Sequence, residues 1–367
     1  MKSSLRLRTP FYIIFLFTSL LISSAALSQK DFKVGLTAEL YGSFALDKES
    51  SASDSFFARG AELEFYGPLD HLFDAALSLA AHSEGSESTF EVHEAYLSSS
   101  RLVNGFTFKL GRYFLGIGRL NKTHRHVWPI LSAPKVQEEF FSGEGIIDSG
   151  FEVSYLLPLP FYLDLTVGVA DGTHFGAAHG HQEGHHLAGE DDQDEDSHGG
   201  SEKPLKPTTY AHLATFFSAF GMDFRPALNY LQHQSSEHLL TRLSGVELVA
   251  KKKTGNYISF LLQSEYWWKN TEPEEGEKEE SEGGYGVIQY GFSPSVRVGA
   301  EFDAFKEESL KYAAFGPSFS YLASEYTRFR LTAKQMENKV TGGEKATSKV
   351  IELGVDFTLG AHKTHEF

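Results

Sequence analysis

Apolar and polar residues alternate along most of this chain. In the stretch Val350–Leu359, Ile351, Leu353, Val355, Phe357 and Leu359 fall on one side, and Val350, Glu352, Gly354, Asp356 and Thr358 on the other. A strand sends successive side chains to opposite faces, so one face here is continuously apolar and the other carries carboxylates and a hydroxyl. Leu163, Leu165, Val167 and Val169 alternate in the same way with Tyr162, Asp164, Thr166 and Gly168. Val296, Val298, Ala300, Phe302 and Ala304 alternate with Arg297, Glu301 and Asp303, and Phe329, Leu331 and Ala333 with Arg328, Arg330 and Lys334. In a soluble sandwich the two faces mean core and water. In a bacterial outer-membrane barrel they mean lipid and a wet lumen.

Strand candidates cover Phe32–Leu46, Phe56–Tyr66, His71–His82, Phe90–Ser99, Phe106–Tyr113, Ser149–Leu157, Tyr162–Ala170 and Thr208–Phe220. They continue through Asp223–Gln232, Leu240–Lys252, Tyr257–Trp268, Gly284–Gly291, Val296–Phe305, Tyr312–Leu322, Thr327–Gln335 and Val350–Leu359. Short turns such as Gly67–Asp70, Lys253–Asn256 and Ala323–Tyr326 alternate with longer loops such as Ser83–Thr89, Lys269–Gly283 and Met336–Lys349. Boundaries read this way carry about 2–4 residues of slack each. The expected fold is therefore a transmembrane antiparallel β-barrel of about sixteen strands, within a range of roughly fourteen to eighteen, with turns at one rim and loops at the other. Closure leaves no sheet edge, which lipid requires. An ionised side chain on the lipid face near the midplane would cost about 2–4 kcal/mol. Asp164, Arg297, Glu301, Asp303, Arg328, Arg330, Glu352 and Asp356 are accordingly assigned to the lumen. Trp267 and Trp268, at a strand end beside a loop, suit an aromatic belt, with ordinary burial as the alternative.

The start of the chain says where this barrel would go. Lys2, Arg6 and Arg8 precede the apolar run Phe11–Ile22, and small residues follow at Ala26 and Ser28. That is the pattern of a secretory signal peptide over residues 1–28, leaving 29–367 as the barrel. The run is too short to cross roughly 30 Å of hydrocarbon comfortably. The chain has no Cys, so an exported protein of this sequence is held by its fold without disulfides. Loss of the three basic leader residues takes the net charge from −16 to about −19, which argues against nucleic acid as a partner. With 31 Phe, 16 Tyr and 34 Gly, the composition is the aromatic, glycine-rich one of a barrel.

Two long loops hold most of the candidate chemistry. The stretch from Gly111 to Asp148 would form the third outer loop and carries Trp128, Ile130, Leu131, Phe140 and Phe141. So much apolar surface argues for folding inward against the wall, where the loop would narrow the pore. Arg112, Arg119, Lys122, His124, Arg125, His126 and Lys135 precede Glu138, Glu139, Glu144 and Asp148. Opposite charges could thus face each other across a constriction and set selectivity. The bland alternative is ion pairs that merely satisfy one another. His124 and His126 form an H-x-H pair that a metal could also use. The next loop, 171–207, places His174, His179, His181, His185, His186 and His198 among glycines and carboxylates. Such a tract suits exchangeable, multidentate binding of Zn²⁺, Cu²⁺ or Ni²⁺ and specifies no single rigid site.

The segments G-R-L-N-K-T-H-R-H-V-W-P (118–129), F-F-S-G-E-G-I-I-D-S-G (140–150) and Y-L-L-P-L-P-F-Y-L-D-L-T-V-G-V-A-D-G (155–172), with V-H-E-A-Y-L at Val92–Leu97, resemble the bacterial zinc-regulated outer-membrane receptors or porins. The resemblance covers roughly Phe56–Gly172 and implies an outer-membrane barrel linked to metal uptake, often labelled TonB-dependent. Glu352, Gly354, Phe357 and Leu359 also resemble the C-terminal signal read by the barrel-assembly machinery, although Gly360–Phe367 follow it.

The function these features favour is a passive porin-like channel for small solutes, cation-preferring, with divalent metal (zinc) collected by the His-rich loop and no cofactor required for the barrel itself. The alternative is a gated receptor of the TonB-dependent type for a metal or metal chelate, which needs a ~22-stranded, plugged barrel. Neither G-x-S-x-G nor H-E-x-x-H occurs, so no enzymatic motif is present. Porin-like barrels are often homotrimers, and the sequence marks no interface.

Overall fold

Each alternating stretch becomes a strand in the computed structural model, which describes residues 32–46, 54–84, 87–173, 175, 204–343 and 345–360. The first eight strands are β1 (Lys33–Ala45), β2 (Ser55–Pro68), β3 (Asp74–Glu84), β4 (Glu87–Ser99), β5 (Phe106–Phe114), β6 (Ile147–Leu156), β7 (Tyr162–Ala170) and β8 (Lys206–Ala219). Then follow β9 (Met222–Gln234), β10 (Leu240–Thr254), β11 (Tyr257–Glu272), β12 (Glu279–Gly291), β13 (Val296–Lys306), β14 (Leu310–Leu322), β15 (Thr327–Val340) and β16 (Lys345–Gly360). Each pairs antiparallel with its neighbours in sequence, and β1 pairs with β16 to close a barrel of sixteen strands. A short helix, α1 (Lys135–Phe141), lies between β5 and β6.

The faces follow the alternation. Leu353, Phe357 and Leu359 of β16 are exposed on the outside, whereas Val350, Glu352, Gly354 and Asp356 are buried inside. Val167 and Val169, Val298 and Phe302, and Phe329 and Leu331 also point outward. This exposed apolar band would be untenable in water and is what lipid requires. Trp268 belongs to it. Trp267 does not: it is buried in the interior, its ring 4.7 Å from that of Phe141 at 70°. The belt expected of both tryptophans therefore applies to one, because neighbours along a strand cannot share a face.

Several loops are shorter than the hydrophobic pattern implies. β3 ends at Glu84 and β4 begins at Glu87, β11 ends at Glu272 and β12 begins at Glu279, and β15 ends at Val340 and β16 begins at Lys345. The ladder continues through polar pairs such as Asn270–Glu280 and Lys339–Lys345. Apolar alternation stops where the lipid would stop; backbone pairing does not.

Two β-bulges interrupt that alternation on one wall. Glu39 pairs with Gly60 but Leu40 with Ala58, leaving Arg59 as an extra residue in β2. Ser78 pairs with Glu94 but Leu79 with Val92, leaving His93 extra in β4. A bulge re-aims a side chain and locally bends and twists its strand. Both Arg59 and His93 are buried in the interior, and Glu94 is buried beside His93.

Candidate functional site

Residues 115–146, between β5 and β6, cross the barrel. Gly118 N–H donates to Asn229 Oδ1 of β9 (2.9 Å), and Leu120 N–H to Glu265 Oε1 of β11 (3.0 Å). His124 lies 3.3 Å from Glu94 Oε2 of β4, and Gln289 of β12 donates to the Pro129 carbonyl at 2.8 Å. β4 and β12 stand eight strands apart in a ring of sixteen, hence on opposite walls. Arg330 of β15 donates to the Ile130 carbonyl and Arg59 of β2 to that of Leu131, both at 2.8 Å. The Lys135 N–H, opening α1, donates to Asp303 Oδ2 of β13 at 2.8 Å.

This segment carries its own core. Leu115, Ile117, Leu120, Trp128, Ile130, Val136, Phe140, Phe141 and Ile146 are buried together with inward aromatics of the wall, Tyr113, Tyr210, Trp267, Tyr285 and Phe305. Asn121 ties its two arms: Nδ2 donates to the Leu115 carbonyl (2.8 Å) and Oδ1 accepts from Ile146 N–H (2.7 Å). The return arm passes Gly145 at φ +122°, where an added Cβ would meet the Asn121 carbonyl at 2.8 Å and Phe114 at 3.0 Å. Gly145→Ala is accordingly expected to destabilise docking of the segment by about 1–3 kcal/mol. Faster limited proteolysis within 115–146, with unchanged strand content by circular dichroism, would register this; equal cleavage rates would contradict it.

Charges inside the barrel are paired rather than lined up across open space. Arg59 grips Glu39 (Nε–Oε2 2.9 Å), and Arg330 bonds Glu39 (2.5 Å) and Asp356 (2.6 Å). Arg328 Nε holds Asp356 Oδ2 at 2.7 Å and also donates to the His126 carbonyl. Lys334 lies 2.9 Å from Glu352 and 3.6 Å from Glu301, and bonds the Ser132 hydroxyl. On the opposite wall Arg225 meets Glu247 at 2.8 Å.

Beside Arg59 lies a histidine–carboxylate cluster around a cavity of about 50 Å³. His82 of β3 and His93 of β4 stack, ring centroids 4.8 Å apart, with their Nε2 atoms 2.8 Å apart. Glu91 Oε1 is 3.2 Å from His93 Nε2, and Glu144 Oε2, from the crossing segment, is 3.5 Å from it. His124 Nδ1 sits 2.9 Å from Glu62 Oε1. Burial alone would lower the His124 pKa, but the charges and hydrogen bonds of Glu62 and Glu94 outweigh it and hold it well above the ordinary imidazole value. Burial would likewise raise Glu144, yet the hydrogen bond from His82 and the Arg125 charge bring it down to about 2.

The residues expected to line a constriction divide accordingly. Arg119, Lys122, His124, Arg125, His126 and Glu144 lie on the crossing segment; Lys122 Nζ approaches His212 at 3.3 Å, and Arg125 approaches Glu144 at 3.7 Å. Glu138 and Glu139 are on the exposed side of α1, paired with Lys135 at 3.7 and 2.7 Å. Arg112 departs from the expectation: β5 runs on to Phe114, and Arg112 shares the outward face with Ala95 and Ser149, its strand partners. Glu39, Arg59, His93, Glu94, Arg225, Glu247 and Glu265 escaped the sequence reading. The bulges hide three of them, and the alternation over Glu247 and Glu265 is the signal that could have placed those two. The signal peptide of residues 1–28 and His174, His179, His181, His185, His186 and His198 lie outside the described residues.

No family model matches the chain. An uncharacterized protein of Aquifex aeolicus (strain VF5) is 28% identical over 341 residues, covering 84% of this chain and 69% of that protein. Among solved structures, an anion-selective porin from Comamonas acidovorans aligns with a TM-score of 0.58 at 12% identity, over 90% of this chain and 99% of the porin. OprB of Pseudomonas putida aligns at 0.57 and 10%, over 90% and 94%. The trimer form of OmpT, an outer-membrane protein of Vibrio cholerae, aligns at 0.56 and 8%, over 89% and 99%. The fold is the sixteen-stranded porin barrel. With its apolar outer band, the protein is an integral outer-membrane barrel.

Proposed function

We propose that the protein is a passive channel for small solutes, cation-preferring and linked to divalent metal acquisition, in which residues 115–146 act as an inward-folded third outer loop that constricts the pore. The charge of the interior carries the cation preference. Twelve buried carboxylates face four buried arginines among the described residues. A lumen lined with that excess raises the local cation concentration and repels anions. The preference is moderated because Arg59, Arg328, Arg330 and Lys334 neutralise their nearest carboxylates.

The His-rich stretch within 171–207 is the element we assign to zinc collection at the outer rim, in keeping with the resemblance to zinc-regulated outer-membrane proteins. A gated, TonB-dependent receptor is the less favoured reading, since a barrel of sixteen strands falls well short of the ~22 that such receptors use. We further propose assembly as a homotrimer, as in the trimer form of the structurally similar OmpT, and recognition of β16 by the barrel-assembly machinery; native mass spectrometry in detergent tests the first of these.

The channel reading is tested in planar bilayers across a tenfold KCl gradient. Discrete conductance steps with a reversal potential of cation-selective sign are expected. A silent barrel would remove the channel, and an anion-selective sign would remove the preference. Deletion of residues 176–200 is expected to leave conductance intact while lowering the number of Zn²⁺ ions bound per chain at micromolar zinc.

A further inference from the structure

We infer that His82, Glu91, His93 and Glu144 form a binding site for one divalent transition cation of the zinc class, buried in the barrel and separate from the His-rich loop. Four residues converge there, two imidazoles and two carboxylates, each offering a donor atom within 4.8 Å of the others. Their separations are 2.8 Å between the two Nε2 atoms, 3.2 and 3.6 Å from these to Glu91, and 3.5 Å from His93 to Glu144. Metal–ligand bonds of about 2.0–2.1 Å in tetrahedral geometry place donors roughly 3.3 Å apart. The cluster brackets that spacing before any ion enters.

His82 Nδ1 lies 3.2 Å from Oε1 of Glu144, itself one of the four residues, and His93 Nδ1, 3.4 Å from Glu62 Oε1, makes no hydrogen bond to it. A proton on either Nδ1 leaves that ring's Nε2 lone pair facing the other donors. The two Nε2 atoms are 2.8 Å apart, a distance at which two lone pairs would repel, so the pair needs a proton or a cation between them. His93 side-chain exposure is only 5%, so water does not relieve this. Glu91, at 25%, gives the site a route to solvent. Arg125, 3.7 Å from Glu144, opposes a cation, and Glu62 and Glu91 offset it. Imidazole with carboxylate suits Zn²⁺, Co²⁺ or Ni²⁺ above Ca²⁺ or Mg²⁺.

The ligands also say what a bound ion would do. His82 comes from β3, Glu91 and His93 from β4, and Glu144 from the crossing segment. One ion would clip the return arm of that segment to the wall. His93 reaches the site only because of the β4 bulge.

Titrating the refolded full-length protein with Co²⁺ supplies the test, since tetrahedral cobalt absorbs strongly in the visible and loop-bound, octahedral cobalt does not. One equivalent with the tetrahedral spectrum is expected, displaced by Zn²⁺, with protection of 115–146 from protease on binding. His93→Ala and Glu144→Gln are each expected to weaken it at least tenfold, and deletion of 176–200 to leave it unchanged. Heat-modifiable migration on gels confirms that each variant still forms a barrel, and Glu144→Gln keeps the side chain's shape should His93→Ala fold poorly. The assignment is overturned if both point variants bind like the parent, if all binding disappears with residues 176–200, or if the parent gives no tetrahedral spectrum. None of these outcomes depends on whether the barrel conducts.

Discussion

Arg330→Met is expected to lower the stability of the barrel by about 3–5 kcal/mol, the range for breaking a buried ion pair from one side. The guanidinium is 4% exposed and serves three partners at once: Glu39, Asp356 and the Ile130 carbonyl. Its removal leaves two carboxylates inside the barrel with less compensation. Arg59 still holds Glu39 and Arg328 still holds Asp356, so the loss should fall toward the lower end of that range. Urea unfolding of the protein in lipid vesicles measures it, and the double variant Glu39→Gln/Arg330→Met should recover part of the deficit. A single variant that unfolds at the parent's midpoint would mean that the network is neutral.

Trp128→Ala should produce the largest change in the behaviour of the proposed pore. Truncating a buried Trp costs about 3–5 kcal/mol, and Trp128 is 1% exposed, with its Nε1–H donating to the Thr123 carbonyl at 2.8 Å. None of that energy belongs to the ladder of the barrel wall. The loss therefore falls on docking of residues 115–146, and at about 1.4 kcal/mol per tenfold the undocked population would rise roughly 10²-fold or more. The barrel should refold normally while its single-channel current becomes larger and noisier and the segment is cleaved faster. Unaltered current and cleavage would show that the segment is held without this residue.

The sequence exposed the wall of this protein far better than its contents. Strand identity and facing were legible because lipid imposes a hydrophobic period of two, as in Val350–Leu359 and Tyr162–Ala170. Strand ends were not, because residues such as Lys253–Thr254 and Glu279–Glu282 pair without any apolar signal. The apolar content of residues 115–146 correctly set that stretch apart from an ordinary solvated loop. Its partners were hidden, since Trp267, Tyr285 and Phe305 face inward where a polar lumen was expected. The histidine cluster was the least legible part. His82, His93 and Glu144 come from three separate elements, and a bulge that shifts one residue leaves no mark in composition or spacing.

The bond of Arg330 to Glu39, and that of the Tyr41 hydroxyl to Glu352 at 2.9 Å, straddle the line where β1 meets β16. Their partners are separated by 291 residues in one case and 311 in another. Contacts so distant along the chain form late in folding, after the entropy of closing a very long loop has been overcome. Interactions absent from the transition state slow opening and leave the rate of closing nearly unchanged. This salt-bridged seam would therefore act as a one-way latch: it gives the first and last strands no help in finding each other, and keeps them together for a long time once they have met.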